Sequence, residues 1–214
     1  MKIRRLDVER LELPLKDGYR IAGRTTHSVT NFIVRVTTDA GIDGIGCAAP
    51  AEEVTGESDD ACESALRGPL SDAVTGLRLS VEVMQSGADP TNVAPAAPAA
   101  RAAVNMALWD AAACFAGVPL IRLLGAEPRA MPTSVTIGIS DAEQVIADAE
   151  RWIAQGFAIL KIKTGDDLDA DIDTLHRLRA CVGRDVPIRV DANQGYTLAE
   201  ARRFLTETSR CSVE

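Results

Sequence analysis

Apolar and polar positions alternate with a period of two through residues 3–15, IRRLDVERLELPL, and again through residues 30–50, TNFIVRVTTDAGIDGIGCAAP. Successive strand side chains point to opposite faces, so the alternation predicts half-buried strands. The second stretch reads as a hairpin turning at Asp39–Gly41. After EVTGES (residues 53–58) the period lengthens to that of a helix, capped by Ser58 and running through Ala61, Ala65 and Leu66. Residues 69–98 predict shorter helical pieces. The alanine-rich stretch that follows predicts a helix over 99–115, closed by Gly117 and Pro119, because Met106, Leu108, Trp109 and Phe115 recur at helical spacing.

The turn-rich LLGAEPRAMP (residues 123–132) divides the chain, giving expected domains of 1–127 and 128–214. Beyond it strands and helices alternate three times. TSVTIGI, FAILKIK and VPIRVDAN read as strands. The intervening helices start at Ser140 or Asp141, end at Gly183, and in the last case open on Thr197. Such alternation with short connections predicts a parallel sheet with crossover helices. A fourth strand starts at CSVE, residues 211–214.

Composition narrows the function. The net charge of −8 is spread along the chain and no basic patch is visible, which excludes nucleic acid as an expected partner. No stretch approaches the roughly 18 apolar residues of a membrane span, and MKIRRLDVERLELPL lacks the apolar core of a signal peptide. The five cysteines are widely spaced without a C-x-x-C pair, and read as reduced thiols in a cytoplasmic protein.

The candidate chemistry lies at two strand ends. In FAILKIK, Lys161 and Lys163 share one face, against Leu160 and Ile162. In VPIRVDAN, Arg189, Asp191 and Asn193 share one face, against Ile188 and Val190. Lysines alone would suit the solvent side of an edge strand. Asp191 and Asn193 at the corresponding place one unit later favour a site instead, because (β/α) barrels build active sites at the carboxyl ends of their strands. Paired ammonium groups repel, and a lysine that sheds its proton serves as a general base. Asp191 is a hard oxygen donor suited to Mg²⁺. A lysine base beside a carboxylate-bound cation suits removal of a proton α to a carboxylate.

LKIKTG followed by RVDANQGYTLAEA, together with EVTGES, AARAAVNMALWD and GVPLIRLLG, resembles the mandelate racemase/muconate-lactonising branch of the enolase superfamily, and within it the dipeptide epimerases of the L-Ala-D/L-Glu type. The resemblance implies an α+β N-terminal capping domain, followed by a TIM-type (β/α)₇β barrel of which this chain carries the first three β/α units and the start of strand 4. It implies a Mg²⁺-dependent racemase or epimerase working through an enediolate on a small dipeptide or carboxylate substrate, and it favours a homo-oligomer. Lys163 would be the base and Lys161 its partner. Asp191 would be the first of three metal ligands, with Asn193 supporting the metal site. DGYRIAGRTTH, residues 17–27, would be a specificity loop whose Arg24 pairs with an acidic substrate side chain, and Thr136 would touch substrate. The related muconate cycloisomerases, o-succinylbenzoate synthases and N-acylamino-acid racemases share the lysines and the aspartate and stay open as alternatives.

The sequence departs from the family pattern in two places. Cys47 stands where relatives commonly carry an acidic residue after Gly-x-Gly. Glu214 matches the earlier glutamate of the run that carries the second metal ligand, not the ligand itself. A closed barrel takes roughly 250 residues, which residues 128–214 cannot supply. The remaining ligands, the opposite-face base and the closing strands are therefore expected elsewhere, and a catalytically incomplete half of a split protein is the competing expectation.

Overall fold

The computed structural model describes residues 1–87 and 89–214. Two compact units result, one formed by residues 1–14 and 28–129, the other by residues 15–27 and 130–214. In the first, β1 (Ile3–Ile21), β2 (Arg24–Thr38) and β3 (Asp43–Ala48) form a sheet in that order. β2 and β3 pair antiparallel from Phe32↔Ala48 to Thr37↔Asp43, around the turn at residues 39–41. Phe32, Val34 and Val36 alternate inward and are fully buried, as the period of two requires.

Four short helices follow: α1 (Glu52–Thr55), α2 (Asp59–Ala65), α3 (Ser71–Val74) and α4 (Val81–Gln85). Ser58 caps α2 by accepting from the Ala61 N–H. Helix α5 (Pro98–Ala116) lies directly on β3, and its C-cap is Gly117 in the left-handed region. The approach is close enough that a Cβ on Gly46 would sit 1.9 Å from the Ala103 carbonyl oxygen. The alanines of α5 make that approach possible. The first turn of α5 lacks a local side-chain cap; instead the fully buried Glu57 carboxylate accepts the N–H groups of Ala99 (2.5 Å) and Ala100 (3.1 Å). Helix N-termini leave such donors unpaired and carry a positive end that favours an anion. α6 (Leu120–Leu123) closes this part of the chain.

In the second unit β4 (Ser134–Ile137), β5 (Ile159–Lys163) and β6 (Ile188–Asp191) form a parallel sheet in sequence order, interleaved with α7 (Ala142–Ala154), α8 (Leu168–Val182) and α9 (Leu198–Glu207). Of the two candidate caps for α7, Asp141 is the one used, accepting from the Gln144 N–H. Thr197 and Glu200 form a reciprocal capping box on α9. Ile137, Leu160, Ile162 and Ile188 on one face of the sheet join Val145, Ala149, Leu175, Leu178 and Phe204 of the helices in one core. A fourth strand begins where the sequence suggested: Val213 bridges to Ile188 in parallel, and the Glu214 N–H donates to the Ile188 carbonyl at 2.8 Å.

This unit therefore holds the first three β/α units of a barrel and the beginning of a fourth strand, preceded in the chain by an α+β domain. No helix among the described residues is long and apolar enough to cross a membrane.

Candidate active site

Register determines what meets on the polar face of the second sheet. Thr136 lies beside Lys161, and Lys161 beside Arg189; one step further along the strands Lys163 lies beside Asp191. Arg189 turns to Glu214, its Nε 3.2 Å from the carboxylate, and leaves the centre of the face to the lysines. Both ammonium groups converge on one oxygen: Lys161 Nζ is 2.9 Å and Lys163 Nζ 2.8 Å from Asp191 Oδ2. Lys163 also donates to Asn193 Oδ1 at 2.6 Å, while the Asn193 N–H donates to Asp191 Oδ1 at 3.0 Å. The Lys163 side chain is only 10% exposed, against 34% for Lys161, so of the two it has lost more water and depends more on these partners.

Asn193 reaches this cluster by a route that strand alternation does not describe. β6 ends at Asp191, and Asn193 and Gln194 take left-handed φ values of 46° and 63°. The chain thus turns sharply, and the turn rather than the strand aims the amide at Lys163. Hydrogen bonds from Lys161, then Lys163, hold the Asp191 carboxyl well below the usual carboxylate range. The aspartate is ionised at any physiological pH and offsets one of the two neighbouring positive charges.

Residues 17–27, expected as a loop, are instead the end of the β1–β2 hairpin, with its turn at Ala22–Gly23. The tip belongs to the second unit. Ile139 donates to the Arg20 carbonyl at 3.0 Å, and the Arg20 guanidinium pairs with Asp166, just after β5. Tyr19 and Arg20 line a cleft of about 470 Å³ together with Thr136, Gly138, Gln144 and Trp152. Burial, and after it the charge of Asp191, raise the Tyr19 phenol above its ordinary value. Arg24 opens β2 just past the turn and is exposed. Thr136 is exposed on the polar face beside Lys161. Of the sequence candidates, Lys161, Lys163, Asp191 and Asn193 are thus in mutual contact, and Thr136 adjoins them in register. His176, read from its helical position as structural, contacts Glu207 and Cys211.

The sequence reading passed over Tyr19 and also Asp171 and Tyr196. Asp171 is 8% exposed, and its Oδ2 accepts from the Gly165 N–H at 2.8 Å and the Tyr196 hydroxyl at 2.6 Å. One signal was available: Asp171 falls on the same helical stripe as Leu175, Leu178 and Val182, where a carboxylate is out of place unless it is hydrogen-bonded.

As to a metal, Asp191 and Asn193 present hard oxygen donors of the kind Mg²⁺ takes. Among the described residues, however, no group of three His, Cys, Asp or Glu side chains is placed to hold an ion. Asp191 fits as one corner of a cation site, not as the site.

The chain matches the family model "Mandelate racemase / muconate lactonizing enzyme, N-terminal domain" over residues 5–125 and "Enolase C-terminal domain-like" over residues 144–214. It is 41% identical to the L-Lys-D/L-Arg epimerase of Desulforapulum autotrophicum, covering 97% of this chain and 58% of that protein. It is 38% identical to the L-Ala-D/L-Glu epimerase of Bacillus subtilis, covering 94% and 55% respectively. Among solved structures, the dipeptide epimerase of Methylococcus capsulatus complexed with Mg and the dipeptide L-Arg-D-Lys superposes with a TM-score of 0.90 at 36% identity, covering all of this chain and 60% of that one. The chain spans less than three fifths of the length of both curated relatives.

Proposed function

The chain belongs to the mandelate racemase/muconate lactonizing enzyme family, and on that premise we propose that it carries one half of the machinery of a dipeptide epimerase. The observation that supports this most is the convergence of Lys161 and Lys163 on Asp191 at the carboxyl ends of two adjacent strands. In this reading Lys163 Nζ is the base that removes the proton α to the substrate carboxylate from one face. Lys161, more exposed and one row back, binds the carboxylate and compensates its charge. Asn193 fixes the Lys163 rotamer through its Oδ1, so the amine is aimed before substrate arrives. Thr136 contacts substrate from the neighbouring strand. Arg24 meets an acidic side chain over the hairpin tip.

Mg²⁺ bound with Asp191 as one ligand would offset the negative charge that develops on the substrate carboxylate. Its other ligands, and the group that returns the proton from the opposite face, would lie in the part of the relatives' length that this chain does not span.

The test is exchange of the dipeptide α-proton in D₂O with Mg²⁺, followed by NMR. With the missing segment supplied, the protein is expected to exchange L-Ala-L-Glu, Lys163→Ala to lose exchange on its face at least 100-fold, and Arg24→Ala to lose acidic but not neutral dipeptides; the 214-residue chain alone is expected to exchange none. Exchange that survives Lys163→Ala removes the lysine from the mechanism. No exchange of any dipeptide even with the missing segment supplied favours a non-catalytic fragment, which the single carboxylate also fits.

A further inference from the structure

Two turns hold the reactive groups in place. One follows β5 and starts at Thr164, next to Lys163; the other follows β6 and runs from Ala192 to Tyr196, next to Asp191. They are locked together. The Thr164 N–H donates to the Asp191 carbonyl at 3.1 Å, while the second turn is closed within itself by the Gly195 N–H on the Ala192 carbonyl at 2.8 Å. A Cβ on Gly195 would sit 2.0 Å from the Gly165 carbonyl oxygen, so the two turns are in backbone contact. Across this contact stands Asp171, from the first turn of α8. A single oxygen, Oδ2, takes one donor from each turn: the Gly165 N–H and the Tyr196 hydroxyl.

A buried carboxylate is costly, and among the described residues this one is spent on neutral donors rather than on an ion pair. The core around it would be served as well by a leucine, like Leu175 one turn later on the same stripe. The cost is offset by what Asp171 secures. Asn193 and Gln194 both hold left-handed backbone conformations without being glycine, and such conformations persist only where the surroundings over-determine them. The Tyr196 hydroxyl bond pins the far end of that strained turn, and the Tyr196 ring is seated on Phe204 with centroids 5.3 Å apart. The near end is pinned by Asp191 itself, through the Asn193 N–H.

We propose that Asp171 and Tyr196 are positioning residues: a carboxylate–phenol clasp that joins the turn after β5 to the turn after β6 and thereby fixes Lys163 against Asp191 and Asn193. Neither side chain touches the reacting atoms. The catalytic consequence rests on the epimerase reading above; the clasp does not.

The test uses Tyr196→Phe, which keeps the ring on Phe204 and deletes one hydroxyl, with Asp171→Asn and Asp171→Ala. Three readouts are taken: amide hydrogen exchange, the ¹⁵N ammonium signal of Lys163, and steady-state α-proton exchange. The expected result for Tyr196→Phe is amide exchange at Gly165 and Asn193 faster by at least tenfold, with Ile162 and Leu175 unchanged, and a shifted Lys163 signal. kcat is expected to fall about 10- to 100-fold with KM within about twofold, as for a misplaced but intact catalytic group. Asp171→Asn, which keeps an acceptor of the same shape, is expected to retain more of each than Asp171→Ala. Unchanged protection at Gly165 in all three variants overturns the clasp. Faster local exchange with an unmoved Lys163 signal and unchanged kcat overturns the positioning role. If wild type with the missing segment supplied catalyses no exchange, the epimerase reading falls alone, and the amide and Lys163 readouts still decide the clasp.

Discussion

Gly165→Ala is the sharpest perturbation of the site that leaves every functional side chain unsubstituted. Gly165 has φ 105°, and a Cβ there would lie 2.3 Å from the Ala192 carbonyl oxygen. Two costs result and they can be separated. Forcing an L-residue into such a conformation costs about 1–3 kcal/mol. A carbon–oxygen contact normally sits at about 3.3–3.6 Å, so the methyl is roughly 1 Å too close. The atom it meets is backbone and cannot rotate away. Overpacking of this kind costs about 1–3 kcal/mol more.

Gly156→Ala is the control, because φ there is 95° and nothing lies within 4 Å of its Cβ. The difference between the two variants then isolates the clash. Urea unfolding followed by circular dichroism is the assay; with slopes of about 1–3 kcal/mol/M, a difference of about 2 kcal/mol separates the midpoints by about 1 M. Ala192 is bonded to Asp191, so relief of the clash also moves the carboxylate, and the Lys163 ammonium signal is expected to shift in Gly165→Ala alone. Equal midpoints for the two variants would refute the close approach, and with it the backbone contact on which the interlocked turns depend.

Two further predictions test other parts of the argument. Because the folded Asp191 carboxyl titrates below its ordinary range, its ion pairs contribute stability that is present above the unfolded value of about 3.9 and is lost only as pH falls through the lower folded value. A ¹³C carboxyl titration of native protein is expected to show no Asp191 inflection near pH 4, whereas Lys161→Met moves it upward; an ordinary inflection in wild type would contradict the geometry. Asp171 has the opposite sign, since burial raises it and its cost to stability grows as pH rises through its folded value. In the first unit, Glu57→Gln removes a buried charge from the N-terminus of α5 and is expected to cost about 1–2 kcal/mol in a thermal melt. A loss under about 0.5 kcal/mol would mean that Ala99 and Ala100 do not need the carboxylate.

Legibility followed the range of the interaction. Strands and helices of the second unit could be read because their apolar stripes face one core, and periodicity reports a buried face. The hairpin tip gave no such signal, because LKDGYRIAGRTTH has no apolar alternation, yet it forms the ends of the neighbouring strands β1 and β2. Lys161, Lys163 and Asp191 were legible as candidates because charged residues stood at fixed places in otherwise apolar strands. Asn193 was found for the wrong reason, as a strand residue, when a left-handed turn delivers it. Glu57 and Asp171 were out of reach as partners, since each satisfies backbone donors that adjoin it only after folding, 42 residues away in the case of Glu57 and Ala99. Arg179 belongs with them: its buried guanidinium donates to the carbonyls of Gly183, Val186 and Cys211, and so ties the start of the fourth strand to the end of α8.

The same arithmetic that buries the core also places the site. In β5 the period of two that sends Leu160 and Ile162 to the helices sends Lys161 and Lys163 to the other face; in β6 it does the same for Ile188 and Val190 against Arg189 and Asp191. A slip of one residue in either strand would exchange the faces. It would bury ammonium groups or a carboxylate among Leu175, Leu178 and Phe204, and each uncompensated charge there costs several kcal/mol. Register is therefore enforced from the apolar side, and the polar side inherits it. Lys163 meets Asp191 in register because Ile162 meets Val190, and the polar face is left to be filled by whatever the chemistry requires.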